Sequence, residues 1–194
     1  MVSLPDVRER IVAYHGSGKY KEDVSHKAES VADLAVKAIR EQVKYPAVVM
    51  VVEDVMLSTY EVRRKQGFSD NNAAHTVLES NVILSSLPAV KPSVVLFEFL
   101  LQRNIPVFLV SYRAEGFRIP LMENLSKAGF SGWQKLFMLP SNYPENLNYC
   151  EAVRKGLQGA GYNIIATIGV LPEDVSGEFA GKAVLYPNYI YSER

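Results

Sequence analysis

From Glu22 to Val43 the apolar positions Val24, Ala28, Val31, Ala35, Ala38, Ile39 and Val43 recur mostly at intervals of three and four. That is the stripe of an amphipathic helix, one that packs on a sheet. Tyr45-Pro46 breaks it, and Ala47 to Val52 is an unbroken apolar run that reads as a strand buried on both faces, as in parallel sheets. A second such run, Ile105 to Val110, follows a helix predicted over Pro92 to Leu101 with proline at its start. Arg118 to Ala128 reads as a helix closed by Gly129, Trp133 to Met138 as a third strand, and Asn146 to Gln158 as a helix ended by Gly159. Asn163 to Ile168 is a fourth strand, and Ala183 to Leu185 a short last one. The stretch from Glu53 to Lys91 is mixed, with a turn and N-cap in Gly67-Phe68-Ser69-Asp70 and a helix over Ala73 to Leu84.

Strands alternating with helices predict an α/β fold: three Rossmann-like layers, with a mostly parallel sheet and helices on both faces. The boundaries expected are one domain over 1–194, with a helical segment over 1–44 and a small cap-like insertion over 55–91. Ligands of such folds bind at the carboxyl ends of strands, here Val52 to Leu57, Val110 to Arg113, Pro140 to Tyr143 and Gly169 to Asp174. With 194 residues and 48% hydrophobic content the chain is long enough to bury a core. Lys plus Arg equals Asp plus Glu at 21 each, so no overall field draws it to nucleic acid or to a membrane surface. The single cysteine, Cys150, excludes an internal disulfide and a cysteine-rich zinc site but names no compartment. No apolar run reaches about 18 residues, and Asp6, Arg8, Glu9 and Arg10 stand where a secretory core would lie. The expectation is a soluble chain without a signal peptide of its own, its compartment and oligomeric state open.

The candidate chemistry lies at the strand ends, where a resemblance emerges. Tyr14-His15-Gly16-Ser17-Gly18-Lys19-Tyr20, Pro46 to Val49, Leu57 to Tyr60, Val110 to Arg113, Asn124 to Phe130 with Trp133, Gly161 to Ile165, Ile168-Gly169, Gly181-Lys182 and Pro187-Asn188 resemble, in order and spacing, one family. It is the class B-type acid phosphatases of the haloacid dehalogenase (HAD) superfamily, subfamily IIIB, relatives of plant vegetative storage proteins. Members are often exported or vacuolar. The resemblance implies an Asp-x-Asp-x-Thr motif after the first strand, whose first Asp attacks phosphorus and ligates Mg2+ and whose second is the general acid/base. Such chemistry needs an oxygen nucleophile, a proton donor for the leaving alkoxide, and cations for the phosphoryl oxygens.

The matching stretch is Val51-Val52-Glu53-Asp54-Val55. Val51 at the nucleophile position has no lone pair, and Glu53 at the acid/base position carries an extra methylene that displaces its carboxyl. In the second motif Ser111 keeps the hydroxyl and Arg113 the cation, with Tyr112 in place of glycine, so these two are the candidate phosphate or anion cradle. In the third, Cys150 after Tyr149 stands where the family has a lysine. In the fourth, Gly169-Val170 with Asp174 retains one of two metal-ligating carboxylates, because Val170 replaces an aspartate.

No catalytic residue and no metal are therefore expected; Glu53 and Asp174 are the residual metal candidates, and no cofactor follows unless the enzyme reading holds, in which case it is Mg2+. Three functional readings stay open: a non-catalytic relative kept for binding, storage or structure; a weak or altered phosphomonoesterase using Glu53, Ser111 and Asp174; and a metal-free binder of an anionic, phosphorylated small molecule. Asp54 as a shifted nucleophile is disfavoured by the fit of Leu57-Ser58. Cys150 reads as a small buried hydrophobe, and His15, His26 and His75 as scattered surface or turn residues. The basic clusters Lys19/Lys21 and Arg63-Arg64-Lys65 read as solvated faces, and the tail tyrosines Tyr186, Tyr189 and Tyr191 as docked against the domain.

Overall fold

A computed structural model describes residues 4–144 and 146–188. The first expected strand is β1, Pro46–Val51, whose last five residues are all buried. It pairs in parallel on one side with β2, Val107–Ala114, and on the other with β4, Asn163–Gly169. β3, Lys135–Leu139, extends the sheet beyond β2, and β5, Lys182–Leu185, extends it beyond β4. The order is β3-β2-β1-β4-β5, all parallel, which explains why the strands read as apolar runs and not as alternations.

The helical segment at the N-terminus is two helices, α1 (Leu4–Gly16) and α2 (Lys19–Arg40). They break at Gly18, whose φ of 82° suits glycine. The stripe read from sequence is the buried face of α2: Val24, Ala28, Val31, Ala35 and Ala38 are buried while Ile39 is exposed. Between β1 and the next strand lie α3 (Tyr60–Lys65), α4 (Asn72–Ile83) and α5 (Lys91–Gln102). The N-cap of α4 is Asn71, whose side chain accepts the Ala74 N–H at 2.9 Å, not Ser69 or Asp70; the short α3 carries too few turns to show a period. Asn124, on α6 (Arg118–Lys127), ties this stretch down by accepting the Leu87 N–H at 2.9 Å and donating to the Leu87 carbonyl at 2.7 Å.

After β3 comes α7 (Tyr149–Gly159), capped by Asn148, whose side chain accepts the Glu151 N–H. The reversal falls at Gly161, φ 93°, and not at Gly159, which remains helical. A one-turn helix, α8 (Pro172–Val175), leads to β5. Right-handed crossovers carry the chain through α5 and α6 from β1 to β3, then back through α7 to β4. The two series of connections therefore cover opposite faces, and α2 packs against α5. The strand order reverses between β1 and β4, the place where open α/β sheets form their ligand crevice.

Candidate functional site

β1 ends at Val51, its side chain fully buried and in register with Val110 of β2. The backbone keeps the parallel ladder one residue further, with the Val52 N–H donating to the Val110 carbonyl at 2.9 Å. Glu53 then lies level with the polar end of β2. There Ser111 and Arg113 are two residues apart and so share a face of the strand. The fully buried Ser111 hydroxyl donates to Glu53 Oε1 at 2.6 Å and accepts the Arg113 N–H at 3.2 Å. Arg113 Nε lies 3.3 Å from the same Oε1, with both side chains mostly buried. The second carboxylate oxygen of Glu53 and the Arg113 Nε have no hydrogen-bond partner among the described residues. The structure thus brings together three of the residues singled out from sequence, with a carboxylate of the chain itself lying against both anion-holding groups.

Asp54 follows at φ 56° and turns away from that cluster. Its carboxylate accepts the Thr59 N–H at 2.6 Å and the Thr59 hydroxyl at 2.7 Å, closing the loop that leads into α3. Asp174 is equally structural in its contacts: one oxygen accepts the N–H groups of Val170 at 2.8 Å and Leu171 at 3.0 Å, with no part of the residue exposed. Such an acid in the first turn answers helix N–H groups that otherwise lack partners. Gly169 is required beside it, since a Cβ there would lie 2.2 Å from Asp174 Cβ.

Cys150 is fully buried in the first turn of α7. The neighbouring Tyr149 hydroxyl donates to the Met138 carbonyl at 2.6 Å, and burial pushes its pKa up. One turn further on the same helix stands a residue whose role sequence reasoning missed. The Arg154 guanidinium, with no exposed surface, donates to the carbonyls of Asp174 (2.8 Å), Glu178 (3.2 Å) and Ser176, fastening the loop between α8 and β5. Its sequence signal was a cation inside the apolar stripe Cys150, Val153, Leu157.

His15 is also not the surface or turn residue expected. Half-buried at the end of α1, its ring stacks between Tyr60 (centroids 3.7 Å, 5° between planes) and Tyr20 (4.1 Å, 20°). Burial lowers its pKa, opposed by the charges of Asp54 and Glu61. His26 and His75 are exposed, His75 pairing with Asp70 at 2.9 Å. The His15 stack borders a cavity at the C-terminal ends of β1 and β4, shared with Asp54, Ser58, Val170 and Asn188. At about 10 Å³ it has room for at most one water. Tyr186 is buried with its hydroxyl 3.2 Å from Ser93 Oγ, and its pKa is pushed up to about 12 by burial. Tyr189 and Tyr191 lie outside the described residues.

The fold family implies Mg2+, and the residues at this site do not fit it. A Mg2+ site needs at least one or two free carboxylates together with water and substrate oxygens. Val51 and Val170 offer no oxygen, Asp174 faces backbone N–H groups, and Glu53 faces Ser111 and Arg113. Among the described residues no group of three His, Cys, Asp or Glu side chains could hold a metal.

A parallel sheet in this order, with chemistry-bearing positions at the ends of β1, β2 and β4, defines a HAD-type phosphatase scaffold. A sequence-family profile described as HAD superfamily, subfamily IIIB (acid phosphatase), matches residues 4–194, and the chain belongs to that family. It is similar to vegetative storage protein 1 of Arabidopsis thaliana, at 28% identity over 145 residues, covering 72% of this chain and 53% of the relative. It is also similar to a stem 31 kDa glycoprotein of Glycine max, at 26% identity over 144 residues, covering 72% and 57%. The chain thus matches a little over half the length of these curated relatives. Among solved structures, a class C acid phosphatase from Bacillus anthracis with tungstate bound superposes with a TM-score of 0.74 at 14% identity, over 95% of this chain and 86% of that one. That likeness concerns the fold.

Proposed function

We propose that this protein is a non-catalytic member of the acid phosphatase family, kept for a storage or binding role. One observation carries the reading. At the end of β1, where the family's attacking aspartate stands, the chain places Val51, fully buried against an apolar neighbour. An alkyl side chain supplies neither the lone pair that attacks phosphorus nor a metal ligand, and positioning alone does not replace either. Three further features support it. The Glu53 carboxylate faces inward onto Ser111 and Arg113, the Asp174 carboxylate caps a turn, and the cavity between β1 and β4 is too small for a phosphate ester. The storage half rests on the names of the plant relatives, two of which are called vegetative storage proteins.

A calorimetric Mg2+ titration tests the metal half, with no saturable heat expected. A saturable isotherm abolished by Asp174→Asn would contradict the reading. For the storage half, the abundance of the protein in its source tissue is expected to rise and fall with nutrient supply; a low, constant level would contradict it.

A further inference from the structure

Two polar atoms at the site are left without hydrogen bonds although both are buried: Oε2 of Glu53 and Nε of Arg113. Buried polar groups are normally satisfied, and each exception needs an explanation. Here it lies in the shape of the occupant. Ser111 Oγ and Arg113 Nε both approach one oxygen, Oε1. A carboxylate has only two oxygens, both in one plane, so whichever oxygen meets the hydroxyl leaves the other turned away from the cation. The serine hydroxyl, the backbone N–H of Arg113 and its guanidinium form a set of donors that a tetrahedral oxyanion, with oxygens on four sides, would meet more completely.

We infer that Ser111 and Arg113 form a latent seat for a tetrahedral oxyanion, inorganic phosphate or a phosphate monoester, that Glu53 holds shut as a tethered anion. The inference rests on the non-catalytic reading of the same site. Glu53 reaches the seat because its backbone sits just beyond the β1–β2 ladder, level with Ser111, and its side chain is long enough to lie against the hydroxyl. The other two acidic groups nearby do not compete for the seat, since Asp54 is bonded to Thr59 and Asp174 to the start of α8. With Glu53 in place an incoming phosphate meets a carboxylate at the only buried cation of the seat and is repelled. Without it, Arg113 and Ser111 lose their shared partner and the local charge rises by one, which favours an anion.

The test is thermal unfolding in inorganic phosphate against chloride at matched ionic strength, on four proteins: unmodified, Glu53→Ala, Glu53→Ser, and Glu53→Ala combined with Arg113→Ala. Unmodified protein is expected to show the same Tm in both salts. The two single variants are expected to melt lower than it in chloride and to regain several degrees in millimolar phosphate, as a ligand selective for the folded state requires. The double variant is expected not to respond. No phosphate response in either folded single variant overturns the inference, as does a response that survives Arg113→Ala. If neither single variant folds, the unmodified protein still decides: a phosphate shift in it that Arg113→Ala removes means the seat is open, and the inference fails. Turnover of an aryl phosphate by unmodified protein would remove the non-catalytic reading instead, so the two failures are told apart.

Discussion

Replacing Val51 by aspartate restores the residue type that the family uses as nucleophile, and the structure says what else it does. Val51 has no exposed surface, and its register partner on β2 is Val110. Losing a fully buried valine side chain forfeits about 1.5–3 kcal/mol of apolar burial. An unpaired carboxylate in its place adds roughly 2 kcal/mol or more, and the group meets that penalty by staying protonated, with its pKa raised. The sum is about 4 kcal/mol, which for a chain of this size is a fall in Tm of roughly 10 °C. The sign with pH follows from linkage: a carboxyl whose folded pKa is raised above about 3.9 destabilises increasingly as pH rises past that value, so the deficit is smallest near pH 4 and largest at neutral pH. The assay is urea or thermal unfolding of Val51→Asp beside the parent at several pH values, with hydrolysis of an aryl phosphate in the presence of Mg2+ measured on the same samples. No gain of turnover is expected, because Glu53, Cys150 and Val170 still lack the family's groups. A variant as stable as the parent, turning over substrate with Mg2+, would refute the reasoning: it would mean the pocket still receives a charged nucleophile.

Two further outcomes follow from single side chains. Arg154→Met keeps the apolar stem of the residue and removes three hydrogen bonds to the α8–β5 loop; it is expected to lower the unfolding free energy by about 3 kcal/mol, read as the urea midpoint at constant m, and a loss below about 1 kcal/mol would show that the guanidinium contributes little there. The His15 pKa is lowered by burial, so the unfolded chain takes up a proton on this residue before the folded one does. Its contribution is present above the unfolded value near 6.5 and is lost as pH falls below it. His15→Phe keeps the stack between Tyr20 and Tyr60 and is expected to flatten the fall in Tm between pH 7 and 5 relative to the parent; identical slopes would contradict the assignment.

Much of the fold was legible because parallel strands covered on both faces appear as continuous apolar runs, and because the buried face of α2 is long enough for its period to show. Short elements were not. α3 has six residues, and the true stop of α7 at Gly161 lies two residues past another glycine that equally resembles a stop. At the site, residue identities at Val51, Cys150 and Val170 already showed which functional groups are absent, and Ser111 and Arg113 were found where a strand end would present them. That Glu53 faces those two was not readable, since it depends on the register of β1 against β2. The positions of Arg154 and of His15 were missed for a related reason: one bonds to carbonyls of a loop more than twenty residues away, the other stacks on a helix some 45 residues on, and local sequence carries no signal of either partner.

The most direct measurement is hydrolysis of an aryl phosphate by the unmodified, purified protein with and without Mg2+, beside Glu53→Gln and Asp174→Asn. The account predicts a rate at the uncatalysed background in every sample, unchanged by the metal or by either substitution. Metal-dependent turnover that either substitution abolishes would contradict it.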